Sequence, residues 1–105
     1  MPQKLLTDWT AQVTGGGHEL VVSLGHELPK RLGTQQLFVT LKDENQKRIE
    51  RKELRITGAG TANVTFALPE NRDPAMLNLA AFVGKDFQSN LHYIKGSVGS
   101  LRRTE

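Results

Sequence analysis

Cysteine is absent from this sequence of 105 residues. Its absence excludes disulfide bonds, thiol nucleophiles and thiolate metal ligands. No apolar run approaches the roughly 20 residues that a membrane-spanning helix needs, so we expect no membrane span. Aromatic residues are also scarce, at 6% of the chain with a single tryptophan. At this length the chain can form one small domain with one modest apolar core.

The sequence contains both acidic and basic residues, with only a small excess of basic ones. Fourteen Lys and Arg residues exceed 11 Asp and Glu residues, and the sequence pI is about 9.5. A dedicated nucleic-acid binder concentrates far more positive charge on one face. We therefore expect no nucleic-acid partner.

The stretch from Gln35 to Leu68 carries the clearest pattern. Apolar residues first recur at every second position, as in Leu37, Val39 and Leu41. Polar turn formers follow at 43–46, a glycine-containing reversal at 57–60 comes later, and the alternation then resumes. A period of two is typical of half-buried strands. The stretch predicts three consecutive strands of an antiparallel sheet.

The segment Lys47 to Arg55 is seven-ninths charged. As a strand it has little to bury, and charge on an edge strand discourages pairing with another chain. We interpret it as an edge strand rather than a basic binding patch, since Glu50 and Glu53 dilute its positive charge. Ile49 and Leu54 fall on opposite parities, which predicts a bulge or a change of sheet near Lys52.

The flanking segments predict four further strands. Residues 8–14 and 18–24 alternate on either side of three glycines and form a predicted hairpin, because glycine accepts positive φ without steric cost. Residues 26–34 form a long connection between sheets. Residues 76–83 are apolar on both parities, as in a central strand, and 91–98 return as the last strand. The sequence thus predicts an all-β, two-sheet antiparallel sandwich of about seven strands.

Three segments carry a resemblance to known modules: Gln35–Leu41, the turn and strand TGAGTANVTFALP at 57–69, and NLAAFVGKDFQSNLHYIKGSV at 78–98. The chain resembles immunoglobulin-like or fibronectin type III-like modules of bacterial envelope and secreted multidomain proteins. The resemblance is architectural, covers about two-thirds of the chain and includes no catalytic signature. It implies an accessory module whose partners are other domains of the same polypeptide or another protein.

The expected domain organisation is a flexible leader at 1–7, one β-sandwich at 8–98 and a flexible tail at 99–105. The first residues have no apolar stretch long enough for a secretory signal. We favour a domain cut from a longer precursor, which would be periplasmic, envelope-associated or secreted. A chain that stands alone would instead be cytoplasmic.

Candidate chemistry is sparse. The histidines His18, His26 and His92 and the neighbouring Glu19 and Glu27 do not repeat a ligand pattern, so we expect no metal and no cofactor. The serines lie in no nucleophile context, and the carboxylate pairs Asp43/Glu44 and Glu50/Glu53 sit where solvation is the ordinary explanation. The expectation is therefore a protein that is not an enzyme.

The one candidate binding feature is the loop tip Asp86, Phe87 and Gln88. A large apolar side chain at the end of a sandwich either folds back or is offered to a partner. We expect a non-catalytic interaction or spacer module. The alternative is a carbohydrate- or ligand-binding module, although Trp9, Tyr93 and Phe87 are too scattered in sequence to predict a row of exposed rings.

Overall fold

The computed structural model describes residues 5–68, 73–85 and 92–101, and these form two antiparallel sheets. The described strands are β1 (Leu6–Thr14), β2 (Glu19–Glu27), β3 (Thr34–Lys42), β4 (Arg48–Thr57), β5 (Ala59–Ala67), β6 (Asn78–Val83) and β7 (His92–Ser97). One sheet has the order β1-β2-β5 and the other the order β4-β3-β6-β7. The predicted all-β sandwich is confirmed. Helical structure among the described residues is limited to three short 3-10 turns and α1 (Val98–Leu101).

The core lies between the two sheets, because alternate side chains of each sheet turn inwards. Leu20, Val22 and Phe66 of the smaller sheet are fully buried, as are Leu37 and Val39 of the larger one. β6 lies between β3 and β7 and is buried on both faces, which confirms the predicted central strand. No helix in the described ranges is long and apolar enough to cross a membrane.

The β1–β2 hairpin is confirmed, and its turn uses Gly15 and Gly16 at φ 61° and 69°. The predicted start of the domain at residue 8 is wrong. Leu5 and Leu6 are buried in the core, and β1 begins at Leu6. A register shift between Leu6 and Trp9 explains the error, because an irregular strand breaks the alternation that was used to find it.

The prediction of one sheet for the stretch from Gln35 to Leu68 is wrong in its last strand. β3 and β4 pair, but β5 pairs with β2 in the other sheet. The chain changes sheets at Gly58, whose φ is 64°. Alternation shows which face of a strand is apolar but not which sheet it joins.

The predicted edge position of β4 is confirmed, and its bulge lies three residues before the predicted site. Leu41 pairs with Glu50 while Lys42 pairs with Arg48, so Ile49 has no partner in the ladder. Ile49 is 37% exposed. The bulge accounts for the opposite parities of Ile49 and Leu54, since one extra residue inverts the alternation.

The remaining boundaries differ little from expectation. The connection at Pro29–Gly33 does cross between the sheets, but His26 belongs to β2 rather than to the connection. α1 occupies the beginning of the predicted tail, and residues 102–105 lie outside the described part of the chain.

Candidate interaction surface

The predicted loop-tip site, Asp86, Phe87 and Gln88, lies outside the described residues. It stays a prediction. Tyr93 and Trp9, the other two rings considered, lie on different sheets, and Trp9 packs against the core. Trp9 and Tyr93 therefore do not share a surface.

Two of the three histidines, His26 and His92, make structural contacts. His26 Nδ1 lies 2.8 Å from the carbonyl oxygen of Gly58, at the point where the chain changes sheets. His92 Nδ1 accepts hydrogen bonds from the amides of Leu5 and Leu6 at 3.1 and 2.9 Å, which ties the start of β1 to β7. Within the ranges that the structure describes, no three His, Cys, Asp or Glu residues are grouped to hold a metal ion.

Asp43 also has a structural role, where solvation was expected. It is only 8% exposed, and its Oδ1 accepts hydrogen bonds from the amides of Asn45 and Lys47, both at 2.9 Å. These bonds close the β3–β4 turn, in the way that aspartate side chains commonly order turns.

The feature that stands out lies on the outer face of the four-stranded sheet, defined as the side pointing away from the core. Phe38, Phe82 and Tyr93 are cross-strand neighbours on β3, β6 and β7, and so form one row of three rings. The rings of Phe38 and Phe82 stack with centroids 4.8 Å apart and an interplanar angle of 20°. Such pairs contribute about 0.5–1.5 kcal/mol beyond the area that they bury.

Arg51 of β4 lies over this pair of rings. Its guanidinium carbon is 5.9 Å from the centroid of Phe38 and 5.8 Å from that of Phe82. Its Nε donates to Thr40 Oγ1 at 3.3 Å. Stacking over the rings and this hydrogen bond together restrict a side chain that would otherwise be mobile. The result is a cation held in place above an apolar base.

The middle of the outer face is buried, although it points away from the core. Phe82 is 4% exposed, Ala80 is 7% exposed and Thr40 is 4% exposed. Antiparallel sheets that face solvent commonly carry polar side chains on that side. These side chains are covered by their neighbours, so this face presents to solvent the half-buried rings of Phe38 and Tyr93 and the exposed side chain of Arg51.

The charged residues of the outer face are mostly basic. Register places five basic residues on this face: Lys42, Arg48, Arg51, Arg55 and Lys95. Glu53 is the acidic residue among these cross-strand rows, and its Oε1 accepts a hydrogen bond from Gln36 Nε2 at 2.7 Å. Among the described residues of these rows, this face therefore carries five basic residues against one acidic residue.

A groove of about 290 Å³ opens beside the aromatic row. Its lining includes Lys42, Asn78, Ala80, Tyr93, Lys95 and Ser97. The lining supplies two ammonium groups, the amides of Gln46 and Asn78, and the hydroxyls of Tyr93 and Ser97, together with the tyrosine ring. This set can donate hydrogen bonds to an anionic or hydroxyl-rich group and can stack against a planar one.

Reasoning from sequence missed this surface because its three rings come from strands that are far apart in the chain. The sequence contains one signal that could have found it. Phe38 alternates with Leu37 and Val39 and therefore lies on the opposite face of the strand. An aromatic residue on the solvent-facing side of a strand commonly packs against side chains of the neighbouring strands. Phe38 does so here, since it stacks on Phe82.

Comparisons with models of protein families, with curated proteins and with solved structures find no match to this chain.

Proposed function

We propose that this chain is a non-catalytic interaction module that binds through the outer face of its four-stranded sheet. Its partner is another domain of the same polypeptide or another protein, and it presents acidic groups to the module. The observation that carries the proposal is Arg51, fixed above Phe38 and Phe82 and surrounded by further basic residues. Arginine and aromatic residues together are typical of the centres of protein interfaces.

The strand order supports the proposed kinship with accessory modules. The fourth strand joins the third and not the fifth. In constant-type immunoglobulin domains the fourth strand lies beside the fifth, whereas fibronectin type III-like modules share the sandwich architecture without always sharing that topology. A module of that kind within a larger bacterial envelope or secreted protein agrees with the sequence resemblance.

A second candidate function is the binding of a carbohydrate or small ligand in the groove beside Tyr93. The mixture of a ring edge with Lys42, Lys95 and Asn78 favours it. Such a ligand would contact β6 and β7 and would leave Arg51 largely uninvolved.

The test is a titration of the 15N-labelled chain with an oligoglutamate peptide, which stands for an acidic protein surface. We expect chemical-shift changes in the amides of Phe38, Arg51 and Phe82, and weaker binding as salt rises. Arg51→Glu should weaken binding about tenfold, because it reverses the charge at the centre of the surface.

Lys30→Glu is the matched control, since Lys30 is exposed and lies on the connection between the sheets. It changes the net charge equally and should leave binding unchanged. Equal weakening by both variants, or shifts on the smaller sheet, would contradict the proposal. Binding of a neutral oligosaccharide that is lost in Tyr93→Ala but retained in Arg51→Glu would favour the second candidate.

A further inference from the structure

The edge of β5 carries a second, independent surface. β5 is the outer strand of the smaller sheet and pairs with β2 over nine residues without a register shift. Its sequence, AGTANVTFA, contains no charged residue and no proline. An edge strand that is long, regular and uncharged is open to pairing with another strand.

The other three edges are each protected. Six of the ten residues of β4 are charged, and the strand contains a bulge. β1 carries Asp8 beside a register shift, and β7 has only six residues and includes Lys95. Bulges, charges and short length are the usual devices against edge pairing. β5 has none of them.

The hydrogen bonds at the two ends of the β2–β5 ladder show which backbone groups of β5 face outwards. The amide of Leu68 donates to the carbonyl of His18, and the amide of Leu28 donates to that of Gly58. In an antiparallel ladder the bonded pairs alternate, so the even-numbered residues of β5 bond to β2. The amides and carbonyls of the odd-numbered residues point to the open edge.

The odd-numbered residues also carry the solvent-facing side chains. All five are exposed: Ala59, Thr61, Asn63, Thr65 and Ala67. Read in either direction, this set is Ala, Thr, Asn, Thr, Ala. It is a palindrome centred on Asn63.

We infer that a second copy of this chain pairs with the first along β5, antiparallel and about a twofold axis at Asn63. The two smaller sheets then become one sheet of six strands. In this register Thr61 faces Thr65 of the second copy and Ala59 faces Ala67, and all five odd-numbered residues find backbone partners. A twofold interface requires a surface that complements itself, and the palindrome meets that requirement. Paired threonines across antiparallel strands are also favourable.

Introducing charged side chains at the twofold axis tests the inference. Asn63→Lys and Asn63→Glu each place two like charges opposite one another in the dimer, which should weaken self-association about fivefold. An equimolar mixture of the two variants should instead form a heterodimer at least as readily as the unaltered chain dimerises. Sedimentation equilibrium, over concentrations up to about 1 mM, measures the unaltered chain, the two variants and their mixture.

Gln12→Lys is the matched control, because Gln12 is exposed on β1, at the opposite edge of the same sheet. It should leave association unchanged. Amide exchange supplies the second measurement: raising the concentration should protect the amides of Thr61, Asn63 and Thr65, which face the open edge. A monomer throughout this range would overturn the inference, as would an open polymer, protection on another strand, or a mixture no more associated than either variant alone.

Discussion

β4 and β5 are consecutive in the chain and each is the edge strand of a sheet, yet their sequences have opposite character. β4 is charged, bulged at Ile49 and contributes little to the core. β5 is uncharged and regular, and it buries Ala62, Val64 and Phe66. The difference shows that an edge strand can be protected by its own side chains or left open for a partner, and that one chain can do both.

The same contrast separates the two proposed surfaces. The interaction face of the larger sheet uses side chains, with Arg51 above two rings and basic groups around it. The open edge of β5 uses backbone groups, and its side chains decide only which partner fits. Salt should weaken binding to the first surface and have little effect on pairing at the second.

The largest expected effect comes from removing the deepest side chain of β5. Phe66 is fully buried, and Phe66→Ala should lower the free energy of unfolding by about 3–5 kcal/mol. On β4 Ile56 is buried, but Leu54 is only partly buried, so Leu54→Ala should cost about 1–2 kcal/mol. Denaturation in urea measures both. Equal losses would show that β4 contributes as much to the core as β5.

Substitutions of Gly58, which connects β4 to β5, should cause a smaller loss of stability. Gly58 has φ 64°, and no atom lies within 4 Å of the position that a Cβ would occupy. Gly58→Ala should therefore cost about 1–2 kcal/mol through backbone strain alone. Gly58→Asn should cost less, since asparagine tolerates this conformation. A loss for asparagine as large as that for alanine would mean that side-chain bulk matters here after all. Thermal unfolding of the two variants distinguishes these outcomes.

Arg51 should contribute more to stability than an ordinary residue of β4. Arg51→Ala removes the cation above Phe38 and Phe82 and the apolar stem of the side chain, for a loss of about 1 kcal/mol. Arg55→Ala, on the same strand and face, should change stability by less than about 0.5 kcal/mol. Urea denaturation of the pair provides the comparison, and losses of the same size would show that stacking adds nothing.

The smallest change in stability should come from the edge charges themselves. Lys52 Nζ and Glu50 Oε2 are 3.7 Å apart, and both side chains are more than 40% exposed. Replacing both with valine should alter the free energy of unfolding by less than about 1 kcal/mol, since exposed pairs contribute little. Light scattering should nevertheless show more association, because two of the six charges that protect this edge are gone. If the double variant stays as monodisperse as the unaltered chain, charge is not what protects this edge.

Much of the fold could be predicted because apolar residues recur at every second position in half-buried strands. Leu37 and Val39 marked β3, and the uninterrupted run of β6 marked a central strand. The sheet to which β5 belongs could not be predicted, since pairing depends on contacts between distant strands. The surface around Arg51 was missed for the same reason: Phe38, Phe82 and Tyr93 become neighbours only through the register of three strands.

β6 has a dynamic consequence that follows from its position. It is covered on both faces, and the bond from the amide of Gly84 to the carbonyl of Gln36 shows that its even-numbered residues bond to β3, which is itself a central strand. Opening of the edge strand β7 does not expose these amides, so hydrogen exchange at Ala80 and Phe82 should require the whole domain to open. The slowest protons of the molecule would then give its global stability directly, without any denaturant.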